Sequence, residues 1–258
     1  METLKIIKVG GNIIDNEAVL EKFLSQFSSI KGLKVLVHGG GKLATKLAKD
    51  MNVPVNMVDG RRITDADTLD IITMVYAGKI NKNIIAKLQT NQCNAIGFTG
   101  ADGNTILSVK RPVKKIDYGF VGDVKKVNTS AINALLDHNI TPVFCAISHD
   151  GNGQLLNTNA DTIASELAIG LSKHYKTELI YCFEKNGVLL SVDDDNSVID
   201  FMDTGTYQTL KIRGTFADGM LPKLENCFHA LHEGVSKVVI GNPTVISNRD
   251  QKFTTLYL

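Results

Sequence analysis

The 258-residue sequence has no tryptophan, only five prolines and four cysteines, and a net charge of +1 at pH 7. Near-neutrality, with no long basic run, excludes an extended nucleic-acid or membrane-surface footprint, though a local basic cleft remains compatible with it. No segment approaches the ~20 apolar residues that a membrane-spanning helix requires, and the first residues lack the apolar core of a signal peptide. The cysteines (Cys93, Cys145, Cys182 and Cys227) form no Cys-x-x-Cys pair. Each lies in an apolar or helical context, so buried free thiols in a reducing, cytoplasmic compartment are expected. Familiar nucleotide signatures are also missing. Gly41-Lys42-Leu43 lacks the Ser/Thr and the upstream glycine of a Walker loop, and no Gly-x-Gly-x-x-Gly opens a helix. His38-Gly39-Gly40-Gly41 looks like an esterase oxyanion loop, but no Gly-x-Ser-x-Gly accompanies it.

What is present is a globular composition, 43% hydrophobic and 21% charged, long enough for one large α/β domain or two joined lobes. Strand-like runs recur at Leu4–Val9, Lys34–Val37, Ala95–Phe98, Pro142–Ile147, Leu179–Phe183 and Lys237–Ile240. Helix-period segments fall between them: Glu17–Phe27 with its Val19, Leu20, Phe23, Leu24 and Phe27 stripe, then Asp65–Leu88, Ser130–Leu136, Ala160–Leu171 and Gly219–Glu233. This alternation predicts right-handed βαβ units, a mainly parallel sheet and a three-layer α/β/α sandwich. Two hairpins interrupt the rhythm. One spans Val55–Ile63 around Asp59-Gly60, and a longer one, Val109–Val127, is expected to hang over the sheet's C-terminal edge as a lid. Asp193-Asp194-Asp195-Asn196 reads as an exposed turn rather than a metal loop.

Two glycine clusters end early strands: Lys8-Val9-Gly10-Gly11 and His38-Gly39-Gly40-Gly41. Either alone is explained by a tight turn. Two from one sheet, with Lys8 beside the first, suggest bare N–H donors facing several negative oxygens, the chemistry of phosphate. Asn157-Thr158-Asn159-Ala160-Asp161 leads into a helix, where Asn and Asp can cap orphan donors. Three polar residues in five positions exceed what capping needs. Asp218-Gly219-Met220-Leu221-Pro222-Lys223 opens another helix, with Asp218 as its expected cap.

In this order and spacing, these motifs, together with Gly60-Arg61-Arg62-Ile63-Thr64, resemble the amino-acid kinase family over nearly the whole chain. The match is nearest to members that phosphorylate an acylated glutamate. Gly97-Phe98-Thr99-Gly100-Ala101-Asp102-Gly103 and Gly119-Phe120-Val121-Gly122 add to it. The resemblance implies transfer of the ATP γ-phosphoryl to the side-chain carboxylate of N-acetyl-L-glutamate, in arginine and ornithine biosynthesis. The same reaction on another N-acylglutamate, such as N-succinyl-L-glutamate, is the alternative. It further implies Lys8, Asp161 and Lys223 as catalytic residues, with Asp161 orienting the two lysines. Gly10 and Gly11 would bind phosphate. Gly40, Gly41, Arg62, Asn157 and Asn159 would bind the acceptor, and Glu184, Gly187, Gly219 and Met220 the nucleotide. Mg²⁺ would arrive on the phosphates, so no protein metal site is expected. Residues 1–172 would form an acceptor-binding, dimerising lobe and residues 173–258 a nucleotide lobe, sharing one sheet.

Three features depart from the family pattern. Phe183-Glu184 stands where members carry Thr-Asp or Ser-Asp, which is also the one foothold for a catalytically silent sensor of the same fold. Arg61 replaces an apolar residue; it either turns to solvent or serves a larger, charged acyl group. The first strand begins by about Leu4, leaving no room for the N-terminal helix of arginine-inhibited hexamers. A homodimer insensitive to arginine is therefore expected, with no nucleic-acid or membrane partner.

Overall fold

The computed structural model describes residues 1–58, 60–191, 193–216, 220–247 and 252–258. Strand β1 (Thr3–Val9) leads through the one-turn helix α1 (Gly11–Ile14) and α2 (Glu17–Ser29) to β2 (Leu33–His38). Helix α3 (Gly41–Asp50) follows, then the hairpin strands β3 (Met57–Val58) and β4 (Arg61–Arg62). Helix α4 (Ala66–Thr73) runs through a π-helical segment, Met74–Ile80, into α5 (Asn81–Thr90). Strands β5 (Ala95–Phe98), β6 (Ile106–Lys110) and β7 (Gly122–Val127) precede helix α6 (Thr129–Asp137). Next come β8 (Thr141–Cys145), β9 (Ile147–His149), β10 (Leu155–Asn157) and α7 (Ala160–Leu171). The remainder holds β11 (Lys176–Cys182), β12 (Phe201–Met202), α8 (Thr204–Ile212), α9 (Met220–His232), β13 (Lys237–Gly241) and β14 (Thr254–Leu256).

Among the described residues, eight strands form one sheet in the order β12-β14-β13-β11-β1-β2-β8-β5. Every pairing in it is parallel except β13 with β14. Successive strand residues face opposite ways, so one strand feeds two cores. In β1, Leu4 and Ile6 join the core covered by α6, α7, α8 and α9, while Ile7 and Val9 join the core under α1 to α5. Val35 and Val37 of β2 go to the first core and Leu36 to the second. This is the three-layer α/β/α arrangement that the alternating sequence predicts. The four cysteines are free and buried. Burial pushes the Cys145 and Cys182 thiols up to about 12, away from thiolate chemistry.

Four expectations are corrected. The strand expected over Pro142–Ile147 ends at Cys145, and Ile147 starts β9 in a second, four-stranded sheet ordered β10-β9-β6-β7. The Val109–Val127 hairpin is therefore not a free lid: its arms β6 and β7 pair antiparallel with a bulge between Leu107 and Ser108, and β6 joins β9. The Asp65–Leu88 helix is not uniform, since its middle widens into the π segment. Helix α3 begins directly at the second glycine cluster, where the sequence suggested only a loop. The first hairpin is present as β3 against β4, although Asp59 of its turn lies outside the described residues. Residues 193–196 form an exposed turn, in which the Asp194 side chain accepts the Asn196 N–H at 2.9 Å and Asp195 pairs with Lys185 at 2.6 Å.

β1 sits at the point where the sheet divides. Its successor β2 lies on one side and β11 on the other. In open parallel sheets, ligands bind beyond the carboxyl ends of the strands at such a division.

Candidate active site

Lys8 is the penultimate residue of β1, on the same face as Leu4 and Ile6. That face looks onto α7 and α9. Asp161 stands in the first turn of α7 and Lys223 in the first turn of α9. The Asp161 carboxylate takes Lys8 Nζ on Oδ1 at 2.8 Å and Lys223 Nζ on Oδ2 at 2.6 Å. All three side chains are mostly buried. Burial alone would push the Asp161 carboxyl up; the two ammonium groups outweigh it and hold the carboxyl well below the usual carboxylate range. Tyr181 of β11, opposite Lys8 in register, closes the base. Its hydroxyl donates to the Asp161 carbonyl at 3.0 Å, and Lys223 Nζ lies 5.1 Å from its ring centroid. Two cations share one anion, leaving a net positive charge at the strand ends.

Both glycine clusters deliver helix N-termini to this edge. Gly10 donates its N–H to the Cys182 carbonyl at 2.9 Å, tying β1 to β11, and Gly11 starts α1. Gly40 caps α3, whose first N–H groups have no partner within the helix. Gly40 has φ +158°, and a Cβ there would strike Ile80 and come within 3.1 Å of the Tyr76 ring. The π segment thus presses onto the start of α3 and needs glycine beneath it. His38 anchors the same junction. Its Nδ1 lies 2.8 Å from the Gly39 carbonyl, which can only accept, and its Nε2 lies 3.0 Å from the Asn81 amide nitrogen. Asn81 also donates to the Val143 carbonyl at 3.1 Å, which fixes its orientation. Burial lowers the His38 pKa to about 4, so the ring is neutral and acts as a fastener, not a base.

Above the Lys8–Asp161–Lys223 group opens a cavity of about 420 Å³. Gly41, Arg62, Asn157, Asn159, Asp161 and Lys223 all border it. Arg62 donates to the Gly41 carbonyl at 3.1 Å and Thr45 Oγ1 at 2.7 Å. Thr64, fully buried, links the hairpin to the second sheet: Asn157 Nδ2 donates to its Oγ1 at 3.0 Å, and its backbone exchanges hydrogen bonds with Tyr118 and Phe120. Gly119, with φ +70°, lies so close to the Thr64 carbonyl that a Cβ would overlap it. Gly119→Ala is expected to lower stability by at least about 1 kcal/mol from the left-handed backbone alone, measured by urea unfolding.

Asn159 caps α7, its side chain accepting the Asp161 and Thr162 N–H groups at 2.8 and 3.1 Å. Among the described residues its amide nitrogen has no partner, and Asn159 borders the cavity. Other expected residues stand apart from the cavity lining. Glu184 is exposed just beyond β11, and Gly187 packs against Thr254, where a Cβ would come within 2.6 Å of Oγ1. Met220 starts α9 against the first core, and Gly219 lies outside the described residues. Phe183 packs on that core, and its N–H donates to the Gly241 carbonyl at 2.9 Å.

Two cavity residues carry no local signal in the sequence. Tyr76 reads as one more apolar position of a helix, yet it borders the cavity 3.8 Å from where a Gly41 Cβ would stand. Arg111 reads as a solvated residue after a strand, yet it borders the cavity too, held by Asp123 at 2.6 Å.

Comparison with known proteins gives a consistent picture. The profile of the amino acid kinase family matches residues 3–242. The acetylglutamate kinase of Cytophaga hutchinsonii is 58% identical over 241 residues, covering 93% of this chain and 91% of its own. That of Phocaeicola vulgatus is 54% identical over 239 residues, with 93% of each chain covered. Among solved structures, smu.665 of Streptococcus mutans superposes with a TM-score of 0.82 at 26% identity, over 98% of both chains.

Proposed function

The chain belongs to the amino acid kinase family, and on that footing we propose that it transfers the γ-phosphoryl of ATP to the side-chain carboxylate of N-acetyl-L-glutamate, in arginine and ornithine biosynthesis. The names of its relatives support the acceptor. The observation that carries the chemistry is the Lys8–Asp161–Lys223 group at the foot of a cavity walled by Arg62.

The acceptor carboxylate, with a reference pKa of about 4.3, is ionised at neutral pH. One of its oxygens attacks the γ-phosphorus, the bond from that phosphorus to the bridging oxygen breaks, and the electron pair leaves with ADP. No proton moves, so no general base is needed. The obstacle is repulsion between an anion and a polyanion, and preorganised positive charge removes it. Lys8 is assigned to the acceptor side of the transferring group and Lys223 to the nucleotide side. Asp161 holds both ammonium groups in place. Gly11 and the N-terminus of α3 at Gly40 and Gly41 supply N–H donors; the Gly10 N–H, expected among them, is already given to the Cys182 carbonyl, so Gly10 is no donor to the phosphate. Arg62 takes the α-carboxylate, with Asn157 and the free amide of Asn159 fixing the acceptor.

Both Asp161 oxygens already face lysines, so this acid is not open to a metal. Mg²⁺ is accordingly assigned to the nucleotide phosphates, whose charge it would partly neutralise. Glu184, Gly187, Gly219 and Met220 are assigned to the nucleotide side, residues 173–258. Residues 1–172 hold the acceptor and the contact of a cytoplasmic homodimer. Among the described residues, no helix is long and apolar enough to cross a membrane.

The test is a hydroxylamine-trapping assay with ATP, Mg²⁺ and a panel of free and acylated glutamates. Acyl hydroxamate is expected from N-acylglutamate and not from free glutamate. No product from any N-acylglutamate, or equal rates with free glutamate, would overturn the proposal.

A further inference from the structure

We infer that the Tyr76 hydroxyl donates a hydrogen bond to the reacting side-chain carboxylate of the acceptor, as a further residue of the active site. This rests on the kinase reading above and holds whatever acyl group the acceptor carries.

Tyrosine is a costly residue here unless its hydroxyl is used. Tyr76 is 6% exposed, yet among the described residues its hydroxyl has no hydrogen-bond partner. Leaving a buried polar group unpaired costs free energy that an apolar ring of the same shape would not. Phenylalanine would fill the same helical stripe beside Ile72, Val75 and Ile80. Burial raises the Tyr76 pKa above the ordinary tyrosine value, so the hydroxyl keeps its proton at neutral pH and stays a donor.

The fold aims this hydroxyl at one place. The wider turn of the π segment re-aims its side chains, and the Tyr76 ring lies on Gly40, with Cδ1 and Cε1 3.1 Å from where a Cβ would stand. The hydroxyl reaches on to Gly41, its oxygen 3.8 Å from the corresponding point there. These two glycines open α3, whose first N–H groups have no partner within the helix. Hydroxyl and N–H donors therefore meet at one corner of the cavity that Gly41 and Tyr76 both border. A helix N-terminus of this kind holds an anion. Arg62 donates to Gly41 and Thr45 of the same helix, which sets the α-carboxylate beside this corner. The acceptor's other carboxylate, two methylenes away, is the one left for the α3 donors and Tyr76.

The hydroxyl serves the oxygen that does not attack. A hydrogen bond on the attacking oxygen would hold back the electron pair that forms the bond to phosphorus. On the other oxygen it fixes the plane of the carboxylate, and that oxygen becomes the carbonyl of the acyl phosphate. Tyr76 gives up no proton, so the balance of the transfer is unchanged.

Tyr76→Phe removes one oxygen atom and keeps the ring against Gly40. The full chain is assayed with ATP, Mg²⁺ and the N-acylglutamate that the hydroxylamine assay selects. A hydrogen bond to a charged group sets the scale, so the acceptor KM is expected to rise about tenfold or more, with smaller changes in kcat and in the KM for ATP. The control is N-acylnorvaline with the same acyl group, which ends in a methyl where glutamate carries the reacting carboxylate. As a competitive inhibitor it should bind wild type and variant with the same Ki. The melting temperature should hold or rise, because the change removes a buried hydroxyl without a partner. A lower melting temperature with equal losses for glutamate and norvaline ligands would mark a merely structural tyrosine and remove the inference. An unchanged acceptor KM would do the same, and either result leaves the kinase reading standing. No turnover of any N-acylglutamate by wild type would overturn that reading and the inference with it.

Discussion

Asp161→Asn is expected to lower kcat about a thousandfold in a chain that still folds. Asparagine keeps the shape and removes the charge that Lys8 and Lys223 meet at 2.8 and 2.6 Å. Two ammonium groups would then face each other in a mostly buried site, and neither would stay where the transferring phosphoryl requires it. Losing one preorganised electrostatic group in an active site costs about 10²–10³ in kcat. Here one change displaces two, so the upper end applies. Stability also suffers, by about 3 kcal/mol, because breaking a buried ion pair leaves unbalanced charge. Calorimetry of the variant, with activity measured well below its melting temperature, separates the two effects. Activity within tenfold of wild type would sink the assigned role.

The same carboxylate gives an acid-sensitive contribution to stability. Its folded pKa is held below its unfolded value of about 3.9. The unfolded chain therefore takes up the proton first, and the stabilisation is complete above that value. It fades as pH falls through the folded pKa. Asp161→Asn should flatten this part of the acid limb in denaturant titrations performed below about pH 4.

Lys8→Ala and Lys223→Ala are each expected to lower kcat about 10²- to 10³-fold with smaller changes in KM, because each lysine acts on charge that moves in the transition state. The double variant should fall no further than Asp161→Asn. Residues acting as one unit are non-additive, and losing either lysine already breaks the unit. Fully multiplicative losses would mean that the two lysines work independently of Asp161. The reaction also needs no proton transfer, so kcat in wild type should stay flat between about pH 6 and 9, above the acceptor's own pKa of about 4.3. A bell-shaped profile there would point to a general base that the assignment lacks.

Much of this molecule is written in local pattern. Short apolar runs separated by amphipathic helices place the parallel strands of the large sheet, since a strand buried on both faces must be apolar along its length. Ala160–Leu171 is legible to the residue, because the Asn159 cap and the apolar stripe mark its start and its extent. The lysines, Asp161 and Arg62 are legible through motif order. The second sheet is not, because β9 and β10 are three residues each and show no periodicity. Nor is the π segment, whose residues Val75, Tyr76 and Ile80 fit an ordinary helical stripe. Its packing against α3 needs Gly40, where a Cβ would strike Ile80 and crowd the Tyr76 ring.

The sequence by itself determined the layered α/β architecture and the chemistry at the strand ends, because hydrophobic period and a few charged or glycine positions act over short distances along the chain. Only the tertiary structure decided which charges meet. Asp161 joins lysines 153 and 62 residues away in the chain, and Arg111 reaches the cavity through Asp123 and the return of its loop at Val121. Sequence alone leaves Arg61 open between solvent and substrate. Its place at the border of the cavity comes from how the hairpin and the second sheet pack, and that packing is non-local.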